Sequence, residues 1–172
     1  MKTHHKLLSN IDLEYYCKLY GIPLNNILFK DLFSQEPLKP GCYIINLQSS
    51  TTDGGGTHWT GLVVSAHFAV YFDPFGLPIP TPLMIALQKH RMKNPHFKVI
   101  YSIDQIQQLD SIFCGWFVLY FLYFFTVQHK KSSNFKYLLN KHNSIYSLEN
   151  RHLNDQILRH LMKALPITKY AN

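Results

Sequence analysis

Apolar and polar residues are arranged so that the chain divides into a leading helix, a group of short strands and a trailing group of helices. A helix is predicted over about 11–20, because apolar residues recur there at helical spacing and Asn10 or Ser9 can cap its start. The glycine and proline that follow end it. A shorter helix is expected near 25–33. The apolar face of the first helix comprises Leu13, Tyr16, Cys17 and Tyr20.

Short apolar runs bounded by turn residues predict strands in the first two thirds of the chain. The predicted strands are 41–48, 59–64, 68–73 and 97–102. The segment SSTTDGGG, 49–56, is typical of a flexible loop. A further helix is predicted over about 81–92.

The most apolar segment runs from Gly115 to Val127 and is 13 residues long. A membrane span needs about 20 apolar residues, and the polar run Gln128–Lys131 ends this one. We therefore interpret it as a buried core helix over about 114–128 and not as a membrane segment.

Residues 129–172 are typical of one or two amphipathic helices, the last of which ends at Pro166. Their apolar stripe comprises Leu153, Ile157, Leu161 and Leu165. An order of helices, then a small mixed sheet, then helices indicates an α+β fold with a central sheet flanked by helices.

The size and composition fit one globular domain. The 172 residues suffice for a single core, and 47% of them are hydrophobic. The net charge of +7 indicates an acidic partner such as nucleic acid, although a basic protein without such a partner has the same composition. Residues 129–172 contain eight Lys or Arg residues and two acidic residues, Glu149 and Asp155. They therefore carry +6 of the net charge of +7. A DNA contact and a solvated helical face both account for that charge.

Three cysteines, Cys17, Cys42 and Cys114, are too few for a disulfide framework and indicate a reducing compartment. The chain has neither a C-x-x-C nor an H-E-x-x-H motif, so no metal site is expected. The first ten residues lack an apolar signal region, so neither a signal peptide nor secretion is expected.

The predicted hairpin of 59–64 and 68–73 brings a histidine and an aspartate together. With the turn centred near 65–67, residues whose numbers sum to about 131 or 132 lie opposite one another, and His58 with Asp73 sums to 131. Such a pair suits a carboxylate that orients an imidazole. A surface His-Asp pair without a catalytic role is the alternative.

Cys114 stands at the start of the most apolar helix. The helix dipole and the unpaired N–H groups of the first turn favour a thiolate there, as an activated nucleophile requires. Gly115 is expected to keep the approach open and to let backbone amides face an incoming oxygen. A buried, inert cysteine is the alternative, and it describes Cys17 and Cys42 better.

The polar run before this helix offers a donor for an oxyanion. The side-chain amide of Gln108, six residues before Cys114, could act beside the Cys114 N–H. Gln105 and Gln107 compete for this role, and any of the three could be a solvated loop residue.

Three segments in chain order, GGGTHWTGLVV, VYFDPFG and QLDSIFCGWFVLYFL, resemble the adenovirus proteinase (adenain) and its relatives in adenovirus-like and Maverick/Polinton-type DNA viruses and elements. Adenain shares its papain-like/adenain-like cysteine protease fold with the SUMO-specific proteases. The resemblance covers roughly residues 9–128, the core of one protease domain over 1–172. Residues 129–172 are the basic helical C-terminal part of that domain.

The resemblance implies a Cys-His-Asp triad with a glutamine in the oxyanion hole. Gln108 precedes Cys114 by six residues, which is the spacing of the glutamine and the cysteine in the SUMO-protease pattern. The implied catalytic residues are His58, Asp73, Gln108 and Cys114, with Trp59 and Gly115 in substrate binding. A tryptophan at a strand start is also common as a simple core residue.

The implied activity is that of a cysteine endopeptidase which cleaves viral capsid or core precursor proteins after small residues, often Gly, during virion maturation. A monomer in the virion and the infected cell, without a membrane partner, is expected, with DNA or a viral peptide as possible activators. No cysteine lies between Asp73 and Cys114, so the adenain route of tethering a peptide activator by a disulfide is not expected. The acid is Asp where adenain has Glu.

Two other functions fit the same sequence. One is a protease that acts on SUMO or ubiquitin conjugates. The other is a DNA- or capsid-binding protein that has lost catalysis, against which the complete four-part motif argues.

Overall fold

The computed structural model describes residues 6–35, 38–52 and 58–168. It contains five strands and five α-helices in these segments. They are α1 Asn10–Tyr20, β1 Leu24–Phe29, β2 Gly41–Asn46, β3 Trp59–Val64, β4 Phe68–Phe72, α2 Thr81–Lys93, β5 Lys98–Tyr101, α3 Cys114–Tyr123, α4 Phe135–Asn143 and α5 Asn154–Lys163. Short 3₁₀ turns cover Lys30–Gln35 and Arg151–Leu153, and a π-helical turn, Phe124–Gln128, extends α3.

The strands form one mixed sheet in the order β1-β2-β3-β4-β5. The central pairs β2-β3 and β3-β4 are antiparallel, whereas the outer pairs β1-β2 and β4-β5 are parallel. Helices cover both faces of this sheet, so the predicted α+β fold is confirmed.

Strand β1 replaces most of the short helix expected near 25–33, and only Lys30–Gln35 is helical. Only Leu28 is fully buried in β1, at the edge of the sheet. Because an edge strand with one buried residue shows little alternation of apolar and polar positions, its sequence does not indicate a strand. The pairing of β1 with β2 supplies the order that the local sequence lacks.

Each face of the sheet has its own core. The face that holds Cys42, Ile44, Val63 and Val70 packs with α1, α3, α4 and α5. The other face holds Tyr43, Ile45 and Leu62 and packs with α2 and the Lys30–Gln35 turn. Strands buried on both faces lack a polar side, which explains their continuous apolar runs.

Helix α3 is buried along its whole length. A helix that is apolar all round needs a protein or lipid environment on every side, and this one lies between the sheet, α1 and α5. In the described ranges, no helix has both the length and the apolarity to cross a membrane.

The buried stripe of α5 differs from the predicted one by about one position. Leu153 is exposed, and Ile157, Leu161 and Leu165 are only partly buried against the core. The fully buried positions are Asn154, Leu158 and Met162. A polar residue heads this stripe, and for that reason the apolar pattern alone misplaced it.

Candidate active site

His58 and Asp73 form a buried pair at the open end of the β3-β4 hairpin. His58 Nε2 lies 2.8 Å from Asp73 Oδ1, and the Asp73 side chain is fully buried. The His58 carbonyl accepts a hydrogen bond from Leu47 N–H at 3.0 Å, which holds its backbone against the end of β2. The two side chains therefore meet through strand ends that the sheet fixes.

The hairpin register that suggested this pair is wrong by one or two residues. Ser65 N–H donates to Phe68 O at 2.8 Å, so the loop has only two residues. Paired residues then sum to 133, as in Gly61 with Phe72. His58 and Asp73 are diagonal neighbours beyond the last ladder pair, and diagonal side chains of this length still meet.

The segment Asp-Pro-Phe-Gly, residues 73–76, is a tight turn that aims the carboxylate. Asp73 Oδ1 also accepts from Phe75 N–H at 2.7 Å, and Gly76 N–H donates to Asp73 O at 2.9 Å. Asp, Pro and Gly are preferred at the first, second and fourth positions of a type I turn. The motif thus fixes the acid by local geometry.

The imidazole of His58 is held flat against Phe75, with ring centroids 4.3 Å apart and planes within 16°. Burial alone would lower the pKa of His58. Its hydrogen bond to Asp73 and its interaction with Cys114 outweigh that influence and raise the pKa to about 9. The ring is therefore a cation at neutral pH, oriented by a carboxylate.

Cys114 is the first residue of α3, and together with Asp73 it contributes to the raised pKa of His58. Since Nε2 of the His58 ring is engaged by Asp73, the nitrogen left for the sulfur is Nδ1, which is buried and makes no conventional hydrogen bond with the described residues. The first-turn N–H groups of α3 and the His58 ring therefore both face the end of α3 where Cys114 lies.

The two other cysteines have different surroundings. Cys17 and Cys42 are fully buried among apolar side chains. Burial raises the pKa of the Cys17 thiol far above its usual range and that of Cys42 to about 12. Both remain neutral thiols of the core.

The three candidate glutamines are separated by their bonding. Gln105 Nε2 donates to Gln107 O at 3.2 Å, and Gln107 Nε2 donates to Ser111 O at 2.7 Å from a fully buried position. Gln108 is half-buried, and its side-chain amide makes no hydrogen bond within the described chain. Its amide is the one of the three that is available to a ligand.

Trp59 and Gly115 both contact the segment before α1. Trp59 is buried, and its Nε1–H donates to Leu8 O at 2.9 Å. It also lines a cavity of about 470 Å³ together with Leu8, Phe29 and Asn46. A role for Trp59 in substrate binding stays a prediction.

Gly115 does not provide an open approach on the side of its α-carbon. A Cβ at this position would lie 3.2 Å from Leu8 Cβ and 3.4 Å from Leu13 Cδ2. The glycine lets these leucines pack against α3, and a part for its backbone in substrate binding stays a prediction. No metal-binding group of three His, Cys, Asp or Glu side chains occurs in the part of the chain that is described.

The fold is similar to that of a known protease. The crystal structure of the ASFV pS273R protease aligns over 95% of this chain and 68% of its own, with a TM-score of 0.51 and 14% identity. A selenomethionine structure of that protease aligns over 67% of this chain and 43% of its own, with a TM-score of 0.41 and 16% identity. No protein-family model and no curated protein matches the sequence. At this identity the likeness shows a shared fold, and it does not bear on the adenain branch.

Proposed function

We propose that this chain is a cysteine endopeptidase which cleaves viral capsid or core precursor proteins. The main support is the buried His58–Asp73 pair at 2.8 Å, together with a cysteine at the start of a buried helix that helps to raise the pKa of His58. The fold that the chain shares with the ASFV pS273R protease supports the same reaction class.

The reaction would begin with the thiolate of Cys114 and the imidazolium of His58. The sulfur attacks the scissile carbonyl carbon, a C–S bond forms, and the carbonyl π electrons move to oxygen. When the C–N bond breaks, His58 gives its proton to the leaving amine and a thioester remains. The neutral His58 then takes a proton from water, whose oxygen displaces the sulfur.

Asp73 would hold the ring in place and stabilise its charge through both halves of this cycle. The oxyanion would receive hydrogen bonds from the Cys114 N–H and the Gln108 amide. Loss of one such donor typically costs about 10²–10³ in rate. Because Gln105 and Gln107 already donate to backbone carbonyls, Gln108 is the best placed donor of the three.

For the substrate we propose small residues, often Gly, before the scissile bond. A cleft that is narrow between Trp59 and the start of α3 would exclude larger side chains. Kinetics on peptides with Gly-Gly or Leu-Leu before the scissile bond would test this, and equal rates would refute it. The resemblance to adenain further supports action on viral precursors in the virion and the infected cell.

A second candidate substrate is a SUMO or ubiquitin conjugate. The sequence resemblance to SUMO-specific proteases in the Gln-to-Cys spacing favours it. Parallel assays on a SUMO fusion and on a viral precursor would separate the two, because each candidate predicts cleavage of one and not the other.

A DNA contact is a further proposal, either as an activator or as the function of a catalytically silent protein. Arg91, Lys98 and Lys136 line one groove of about 600 Å³ beside the β5 edge. By contrast, two cations of residues 129–172 are engaged within the protein: Arg151 donates to Gln105 O, and Arg159 lies over the Phe113 ring. Salt-sensitive duplex binding that weakens in Lys136→Ala would support the contact.

The decisive experiment is cleavage of a peptide panel with Gly at the two positions before the scissile bond, with and without DNA. Wild type is compared with Cys114→Ala and, as a matched control, Cys17→Ala. Cleavage by wild type and Cys17→Ala alone would establish the thiol protease. Cleavage that persists in Cys114→Ala would refute it. Folded protein without cleavage in any condition would leave two interpretations, an enzyme that needs a further activator and a silent binding protein.

A further inference from the structure

Residues 102–113 form a loop, termed here the donor loop, that joins β5 to α3 and contains Gln108. One side of this loop is tied to the turn that follows Asp73. Ile106 N–H and Gln107 N–H both donate to Pro74 O at 2.9 Å. The opposite side faces α4 and α5, which lie in the segment 129–172 that the resemblance does not cover.

Asn154, at the start of α5, holds the middle of the donor loop. Its side chain is fully buried, and Nδ2 donates to Ile106 O and to Ser147 O, each at 2.8 Å. Its Oδ1 accepts from Ser147 N–H at 2.8 Å. The amide thus bridges the donor loop and the chain between α4 and α5 with every N–H used.

Asn143, the last residue of α4, holds the start of the donor loop. Its Nδ2 donates to Ser102 Oγ at 2.6 Å and to Asp104 Oδ2 at 2.8 Å. Its Oδ1 lies 2.9 Å from His142 Nδ1. Burial lowers the pKa of His142 to about 4, so this histidine is neutral and its Nδ1–H donates to the amide oxygen.

The end of the donor loop contacts α5 next to the nucleophile. Ser111 Oγ donates to Asp155 Oδ1 at 2.9 Å. The Arg159 guanidinium lies 4.6 Å from the centroid of the Phe113 ring, and Phe113 immediately precedes Cys114. Near the middle of the loop, Arg151 Nε donates to Gln105 O at 2.8 Å from the surface.

We propose that α4 and α5 position the donor loop, with Asn143 and Asn154 as the positioning residues that set the Gln108 amide and the start of α3 against the oxyanion. This inference rests on the proposed peptidase function. Oxyanion donors act only when their geometry is set before the reaction. A shift of about 1 Å from a change remote from the chemistry can cost about 10²-fold in rate.

An exchange of partners tests the proposal at Asn143 and Asp104. Asn143→Asp places a second carboxylate against Asp104 Oδ2 and removes the donor. The double variant Asn143→Asp/Asp104→Asn restores an amide-to-carboxylate hydrogen bond with the roles reversed and keeps the net charge of the wild type. The single variant Asp104→Asn completes a double-mutant cycle for this pair of residues.

Three quantities are measured on the full chain: the melting temperature, kcat and KM on a cleaved peptide, and hydrogen exchange of the Ile106 and Gln107 amides. We expect Asn143→Asp to lower kcat about 10- to 100-fold and to leave KM within about twofold of the wild-type value. The reason is that the misplaced donors contact the oxyanion of the transition state and not the bound substrate. Exchange of the two amides should rise at least about tenfold, and the double variant should recover most of both losses.

An unchanged kcat in folded Asn143→Asp, an unchanged amide exchange, or a double variant that stays as slow as the single one would each overturn the proposal. If Asn143→Asp does not fold, Arg151→Met at the exposed contact replaces it. A kcat lower by a few-fold and faster exchange would then support the proposal, and no change in either would overturn it. A wild type that cleaves nothing, with or without DNA, would count against the proposed function, while the exchange data would still decide whether α4 and α5 hold the loop.

Discussion

Replacement of Asp73 by Asn should move the pH range of activity while leaving the fold intact. The Asp73 side chain is fully buried, and its Oδ1 accepts from both His58 Nε2 and Phe75 N–H. Asparagine has the same shape and still offers an oxygen to the Phe75 amide. What it removes is the negative charge beside the imidazole.

The size of the effect follows from the pKa of His58. Its value of about 9 exceeds the ordinary 6.5 by about 2.5, and each pKa unit corresponds to about 1.36 kcal/mol, so the imidazolium is favoured by about 3 kcal/mol. Burial opposes this charge. Without the carboxylate, only Cys114 still favours the charged ring against burial, so we expect the pKa of His58 to fall well below 9.

The assay is the pH dependence of kcat/KM and of Cys114 alkylation by iodoacetamide, from about pH 5 to 10. The wild type should lose activity above about pH 9, where His58 no longer has the proton for the leaving amine. In Asp73→Asn this limb should move to clearly lower pH, and the protonated fraction of His58 at pH 8 should fall about tenfold for each unit by which its pKa drops below 8. Glu149→Gln, at an exposed carboxylate outside the donor loop, is the control for charge alone.

Stability provides an independent test with a defined sign. The folded-state pKa of His58 is raised, so its charge contributes up to about 3 kcal/mol to the free energy of unfolding below pH 6.5. This contribution is lost as the pH rises through about 9. Urea unfolding at pH 6 and pH 9.5 should show that loss in the wild type and little of it in Asp73→Asn. A variant that keeps its alkaline limb near pH 9 would refute the reasoning.

Three further outcomes are expected. Iodoacetamide at pH 7 should label Cys114 well before the two core cysteines, as peptide mass mapping would show; equal labelling would contradict the assignment of Cys114 as the nucleophile. Gln108→Ala should lower kcat about 10²–10³-fold and Gln105→Ala less than about fivefold, and the reverse order would reassign the oxyanion donor. Gly76→Ala should lower the free energy of unfolding by more than about 2 kcal/mol in a denaturant titration, because Gly76 has φ 69° and a Cβ there would lie 2.8 Å from the Ile103 carbonyl carbon. A wild-type midpoint would refute that packing.

The parts of the site that could be predicted from sequence depend on local geometry. The Asp-Pro-Phe-Gly turn, the short hairpin and the cysteine at the start of an apolar helix each follow from neighbours within a few residues. Even there, a turn centre misjudged by about one residue gave the wrong register, and His58 and Asp73 meet only because long side chains reach diagonally.

What could not be predicted depends on contacts between distant residues. Strand β1 is ordered by its pairing with β2, and its own residues show no clear period. Asn143 and Asn154 bond to residues about 40 to 50 positions away, and a buried amide produces no periodic signal. Gly115 suggested an open approach, whereas the leucines that pack on it are over 100 positions earlier in the chain.

The contacts of the donor loop with α4 and α5 also have a consequence for protein synthesis. A ribosome completes His58, Asp73 and Cys114 before it reaches Asn143 and Asn154, and Thr168, which donates to the Lys18 and Leu19 carbonyls, comes later still. Domains assemble as the chain emerges, so a nascent chain has its nucleophile before the helices that hold the donor loop. We therefore expect chains stalled before α4 to cleave no peptide, in contrast to completed ones. Such a delay would keep the proposed peptidase inactive until its chain is complete.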